Sequence, residues 1–231
     1  MSDTIKILSA GAPKAGLRQS AEAFTSAFGG SFAVEFATAP VIRERVTSGV
    51  AAVDVIVAPR PDIEAFGEAG FADPDTAQVL GAVAAGVVAR NGSHEPEIGS
   101  VDELVASMRS AERIVYNTAS SGRYISQMIA GLGLEQEIEP KIVRLPNGAA
   151  VMEYIATASP RTFGFGQITE IKLQEDLGIH VVGPLPGPLA HRTTYAATVA
   201  SNTQMPDRAV ALVEFMGSGE GRKIFSASGV T

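Results

Sequence analysis

Short runs rich in β-branched residues, each followed by a longer segment with apolar residues at helical spacing, set the strongest constraint on this chain. Such alternation builds βαβ units around a mostly parallel sheet. Ile5 to Leu8 opens the pattern. Pro13 then suits a first helical turn, and Leu17, Ala21, Phe24 and Phe28 recur at helical spacing before Gly29-Gly30 ends the helix. Phe32 to Phe36 with a helix from about Val41, and Val53 to Val57 with a helix from about Pro61, complete three strand-to-helix units.

Ala82 to Ala89 reads as an apolar strand that crosses to a second lobe, and Arg90-Asn91-Gly92-Ser93 after it is loop chemistry. Ser100-Val101-Asp102-Glu103 is a capping box heading a helix through Met108. A second βαβ series follows: Ile114 to Tyr116, a helix from about Gly122 to Leu132, Ile142 to Leu145, and a helix from Gly148 to Ala156. Phe163 and His180 to Val182 mark further strands. Gly183-Pro184-Leu185-Pro186-Gly187-Pro188 suits neither helix nor central strand and predicts a rigid connector. Arg192 to Ala200 suits the return crossover, and helices from about Pro206 to Met216 and Gly219 to Ser226 finish the chain. The 231 residues, 45% of them hydrophobic, fit two small lobes sharing one chain. The expected fold is α/β, with lobe 1 over 1–86 plus 192–231 and lobe 2 over 87–191.

Composition removes several function classes. A formal charge of −7 with no basic run opposes nucleic-acid binding. Val79 to Ala89, the longest apolar stretch, is interrupted by Gly81 and Gly86 and is too short to cross a bilayer, so no membrane insertion is expected. Cysteine is absent, which removes disulfides and thiol chemistry. His94, His180 and His191 lack metal-ligand spacing, and no metal or cofactor is expected. No G-x-S-x-G elbow exists, and Gly11 and Gly16 are followed by Leu17-Arg18 where a phosphate-binding loop needs Lys and then Ser or Thr. Met1 to Leu8 shows no basic segment followed by an apolar one, so the expected location is cytoplasmic as written, or periplasmic if a signal has been removed.

Ligands of open parallel sheets collect beyond the carboxyl ends of the strands, where helix N-termini present unpaired amides. Ser9-Ala10-Gly11-Ala12 has that position, with small residues and one hydroxyl; it equally suits a tight turn with no ligand. In the second lobe, Ser120, Ser121, Gly122 and Arg123 combine two hydroxyls, backbone amides and a guanidinium that together suit a carboxylate or oxyanion; the alternative is a plain helix cap with a solvated arginine. Thr38-Ala39 and Pro59-Arg60 occupy equivalent strand ends, Arg90 closes the crossover strand, and Gln167 stands at a further strand-to-helix junction. Thr38 and Arg60 equally suit surface loop, Arg90 suits a plain exposed arginine, and Glu170 suits a helix-start carboxylate.

The order and spacing of Ile5-Lys6-Ile7-Leu8-Ser9-Ala10-Gly11-Ala12, Gly49 with Val53-Asp54-Val55-Ile56, Ser121-Gly122-Arg123-Tyr124, Gly166-Gln167-Ile168-Thr169-Glu170-Ile171 and Val182-Gly183-Pro184-Leu185-Pro186 resemble the molybdate-binding branch of the type II periplasmic binding proteins. The resemblance implies two lobes, each a mostly parallel sheet flanked by helices, joined by two crossover strands, with an anion held between them. Molybdate-type oxyanion binding follows from it directly. Arg60, Arg90 and Arg123 depart from the hydroxyl-and-amide sites of that branch and favour an organic di- or tricarboxylate. As a receptor the chain would partner transporter membrane subunits if exported. The family is also similar to the aconitate isomerases, which implies the alternative of a cofactor-independent isomerase with Lys14, Glu170 or Tyr124 as base.

Overall fold

The computed structural model describes residues 4–49 and 52–231. Met1, Ser2 and Asp3, part of the segment read for a leader, lie outside the described residues. In chain order the first elements are β1 (Thr4–Ser9), α1 (Lys14–Phe28), β2 (Ser31–Phe36), α2 (Ala39–Thr47), β3 (Val55–Pro59), α3 (Arg60–Glu68) and β4 (Ala72–Arg90). Next come α4 (Val101–Ser110), β5 (Arg113–Asn117), α5 (Ser120–Gly131), α6 (Glu135–Ile138), β6 (Ile142–Leu145), α7 (Gly148–Thr157) and β7 (Thr162–Gln167). The chain ends with α8 (Ile168–Lys172), β8 (Ile179–Pro184), β9 (Arg192–Ala200), α9 (Pro206–Gly217) and α10 (Gly219–Ala227). Two units result, one running up to Val83 and resuming at Thr193–Thr231, the other Ala84–Arg192. The chain passes from one to the other inside β4 and again at the start of β9.

In the first unit β1 pairs in parallel with β2 and β3, and β9 runs antiparallel to β3. Ile5, Ile7 and Leu8 are buried in β1, and Leu17, Ala21 and Phe24 of α1 join their cluster. Full burial of each such large side chain is worth about 1.5–3 kcal/mol. Phe28, at the same helical spacing, is 65% exposed, because it is the last residue of α1, although its ring still meets Phe24 and Phe215. Gly29 turns the chain there with φ 76°, a left-handed conformation that glycine adopts without penalty. β4 begins ten residues before the apolar run that predicted it. Asp73, Pro74 and Asp75 disguise its start, which is tied to β9 by Thr198 Oγ1 donating to the Asp73 carbonyl (2.8 Å) and the Val199 amide donating to Thr76 Oγ1 (3.0 Å).

In the second unit β5 lies parallel to β6 and β7, while β4 is antiparallel to both β7 and β8. Ile114, Tyr116, Phe163, Phe165 and Val87 face α4 and α5; Val88 and Val115 face α7 and α8. Strand β7 reads Phe-Gly-Phe-Gly from Phe163, so its glycines fall on the α7 face. A Cβ on Gly166 would stand 2.7 Å from the mobile end of Met152 in α7, and one on Gly164 2.9 Å from the Val115 carbonyl oxygen of neighbouring β5, so it is at 164 that the backbone leaves room for glycine alone. Ser100 caps α4 as predicted, its hydroxyl accepting from the Glu103 amide (3.2 Å). The predicted connector 183–188 differs in part. Gly183 and Pro184 complete β8, paired with Val87 and Gly86, which is possible because that strand has β4 on one side only; Gly187–Leu189 forms a 3-10 turn.

His191 precedes β9, and its carbonyl accepts from the Ala85 amide (2.9 Å). Its ring stacks on Tyr124 with centroids 3.9 Å apart and planes 12° off parallel. Burial holds the imidazole below its ordinary 6.5. Neutral His191 therefore contributes stability above pH 6.5 that is lost as pH falls through the depressed folded value. Urea unfolding at about pH 7.5 and about pH 5.5 is expected to show a smaller acid-induced loss of stability for His191→Gln than for the unaltered chain, and equal losses would contradict this account.

Candidate functional site

Parallel pairing brings the carboxyl ends of β1, β2 and β3 to one edge of the first sheet, with Ser9 directly beside Phe36 and, on the other side, Val57. Ser9 is fully buried and its hydroxyl donates to the Ala10 carbonyl (2.9 Å). The Ala10 amide donates to the Val57 carbonyl (2.8 Å), so the sheet already holds that predicted donor. The Gly11 carbonyl accepts from the Lys14 amide (3.1 Å), and Ala12 is buried. Thr38 is the N-cap of α2 in extended conformation, with no side-chain cap bond, and Ala39 behind it is buried. Pro59 ends β3 and offers no N–H. Arg60 opens α3, but its Nε donates to Glu64 Oε1 (2.7 Å), and both side chains are more than half exposed. Such a pair is worth about 0.5 kcal/mol at most, yet it lays the guanidinium along its own helix.

The head of α5 is organised by Asn117, a buried residue at the end of β5. Its Oδ1 accepts from the amides of Ala119 (2.9 Å) and Gly122 (3.3 Å), and its Nδ2 donates to Ser121 Oγ (3.1 Å). Ser121 thus uses its oxygen as acceptor, which leaves its proton uncommitted among the described residues. Ser120 Oγ is buried with no hydrogen-bond partner among them. Gly122 is required by packing, since a Cβ there would overlap the Asn117 carbonyl oxygen. Arg123, one position on, is exposed. Gln167 is buried at the end of β7, where α8 begins.

Arg90 does not belong to this edge. Ala85 is the β4 residue paired with Gln167, and antiparallel β4 then runs away from it toward Arg90, which pairs with Ile179. Five residues of strand put Arg90 about 16 Å along the sheet from the Ala85 end. Sequence order alone does not reveal that reversal.

The three candidate bases differ in what holds them. The Tyr124 hydroxyl donates to the Leu189 carbonyl (3.0 Å). Lys14 Nζ lies over the Phe36 ring, 5.3 Å from its centroid. Glu170 lies against Gly148 at the head of α7, where a Cβ would stand 2.5 Å from Oε2. That carboxylate sits at the positive end of a helix dipole. Asn147, whose Oδ1 caps α7 by accepting from the Ala150 amide (2.9 Å), was not singled out from the sequence; the Asn-Gly pair ahead of an apolar helix is the signal for it. Asn117 was passed over for the serines that follow, although a polar residue closing an apolar strand marks it. Among the described residues no group of three or more His, Cys, Asp or Glu is arranged to hold a metal ion, and no helix is long and apolar enough to cross a membrane.

The model of the family described as bacterial extracellular solute-binding protein matches residues 5–231. The chain belongs to that family. Its fold is that of the type II periplasmic binding proteins. Among solved structures, this solute-binding family member is similar to the sulfate-binding protein SubI from Mycobacterium tuberculosis H37Rv, with TM-score 0.81 and 16% identity over 98% of this chain and 85% of that one. It is also similar to the periplasmic molybdate-binding protein of Azotobacter vinelandii, with TM-score 0.78 and 18% identity over 98% of both chains. Aconitate isomerase from a Pseudomonas species is 25% identical over 235 residues, covering 98% of this chain and 87% of that protein.

Replacing Gly122 tests the packing at the head of α5. Gly122→Ala is expected to destabilise the fold by about 1–3 kcal/mol, read as a lower urea midpoint. An unchanged midpoint would show that Asn117 can move aside freely.

Proposed function

We propose that this chain binds a small organic di- or tricarboxylate as a solute-binding protein and delivers it to transporter membrane subunits. The observation that carries the reading is the pair of uncommitted hydroxyl protons at the head of α5, from Ser120 without a partner and Ser121 with its oxygen already occupied. A helix N-terminus with two such donors favours a negative group. Arg123 beside them carries a planar fork that matches a carboxylate by two parallel hydrogen bonds, which favours an organic acid over a metal oxyanion. Likeness to aconitate isomerase across nearly the whole chain supports a carboxylate, while likeness to sulfate- and molybdate-binding proteins supports an anion in general.

Titration calorimetry with tricarballylate, succinate, molybdate and sulfate tests the proposal. Tricarballylate or succinate is expected to bind most tightly, and Ser120→Ala and Ser121→Ala are each expected to weaken it about tenfold, as loss of a charge-assisted hydrogen bond does. Absence of heat with every anion, or unchanged affinities in both variants, would overturn it.

The same likeness to aconitate isomerase favours a second reading, a cofactor-independent isomerase that moves a proton on a bound tricarboxylate. Glu170 is then the base, a carboxylate at the carboxyl-end edge of the second sheet. Solvent deuterium is expected to enter cis-aconitate during incubation with the unaltered chain and not with Glu170→Gln. A complete lack of exchange in the unaltered chain would overturn this second reading.

A further inference from the structure

The turn that ends β4 sets an Asn-Gly pair against an imidazole backed by a carboxylate. Asn91 and Gly92 are both exposed. The turn is pinned around them, with the Asn91 amide donating to the Gly178 carbonyl (2.8 Å) and the Ser93 hydroxyl donating to the Arg90 carbonyl (2.7 Å). The Gly92 amide has no acceptor among the described residues. Gly92 adopts φ 72°, and a Cβ placed on it would meet nothing within 4 Å, so the turn is open to water there.

Asn91 Oδ1 lies 2.9 Å from His180 Nδ1, on β8. A ring nitrogen facing an amide oxygen at that distance carries a proton and donates it. Glu95 Oε2 stands 3.4 Å from Nε2 of the same ring. The Asn91 side-chain carbonyl is thus polarised by a held donor, while the amide that follows it in sequence is unspent. The other Asn-Gly pair of the chain, Asn147-Gly148, has the opposite surroundings. Asn147 Oδ1 is engaged by the Ala150 amide, Gly148 is buried, and the Glu170 carboxylate against Gly148 opposes a second negative charge.

We propose that Asn91 is a self-modification site, converted by intramolecular chemistry to aspartate and isoaspartate. The Gly92 nitrogen attacks the Asn91 side-chain carbonyl carbon and forms the new C–N bond of a succinimide ring. The His180 N–H stabilises the oxyanion of the adduct. Collapse breaks the bond from that carbon to the carboxamide nitrogen, which leaves as ammonia with the proton given up by Gly92. Water then opens the ring at either carbonyl, giving aspartate or isoaspartate with no change in oxidation state. The new carboxylate places a negative charge beside His180, in competition with Glu95, and isoaspartate routes the backbone of the turn through a side-chain methylene. This chemistry is independent of whether the chain binds an anion.

Peptide mapping by mass spectrometry on the full chain, incubated near neutral pH and sampled over days, reads the reaction as a gain of about 1 Da in the peptide holding Asn91. In the folded chain Asn91 is expected to convert at least about tenfold faster than Asn147, whose oxygen and following glycine are both engaged. His180→Val keeps a strand-forming residue on β8 but removes the donor. It is expected to slow conversion of Asn91 about fivefold or more, less than the loss of an oxyanion donor costs in a water-excluded site. In urea the two pairs are expected to convert at similar rates and His180→Val to change neither, since both surroundings come from the fold. No mass gain at Asn91, conversion of Asn147 as fast as Asn91 in the folded chain, or an unchanged folded rate in His180→Val would each overturn the proposal. The first two outcomes are read on the unaltered chain and stand even where the variant does not fold.

Discussion

Parallel hydrogen bonding between β1, β2 and β3, and again between β5, β6 and β7, obliges the helix after each strand to begin at one edge of its sheet. Every such helix points its unpaired amides and the positive end of its dipole toward that edge. The first unit thereby gathers the heads of α1, α2 and α3, and the second those of α5, α7 and α8. A fold that concentrates amide dipoles in this way is suited to negative charge before any side chain is chosen.

Side chains then decide which helix heads remain open. At α7 the protein supplies its own anion, the Glu170 carboxylate against Gly148, together with the Asn147 cap. At α5 the cap comes from Asn117 behind the helix, which satisfies the amides of Ala119 and Gly122 and leaves the hydroxyl protons of Ser120 and Ser121 without an acceptor among the described residues. At α1 the hydroxyl of Ser9 is turned onto its own neighbour's carbonyl, and rotation of that one bond would redirect its proton. Three heads built by the same topology thus differ in charge by what a few residues do.

The fold was legible because its signals are local. Alternation of β-branched runs and helical spacing located every parallel strand, and β6 and β9 occupy the residues expected of them. Misplacements occur where a local signal competes with pairing: Pro74 and two aspartates hid the first half of β4, and Pro184 hid the end of β8. The candidate site was legible in part, since small and hydroxyl residues at strand ends announce themselves. Direction was not. Arg90 lies five residues along β4 from the residue paired with Gln167, because antiparallel running is a property of the sheet, and the occupied Ala10 amide, the Asn117 cap and the reach of Glu170 across to α7 depend on neighbours distant in sequence.

The Phe-Gly-Phe-Gly alternation of β7 gives its two faces different freedoms. Against α5 the contact is made by rings, which neighbouring side chains can accommodate by exchanging a methylene here for a methyl there. On the other face Gly164 lies against the Val115 carbonyl oxygen, and no smaller residue exists to relieve it. Drift can therefore retune the ring-bearing side of this strand gradually, whereas position 164 on the other side admits no exchange that keeps the neighbouring backbone where it is.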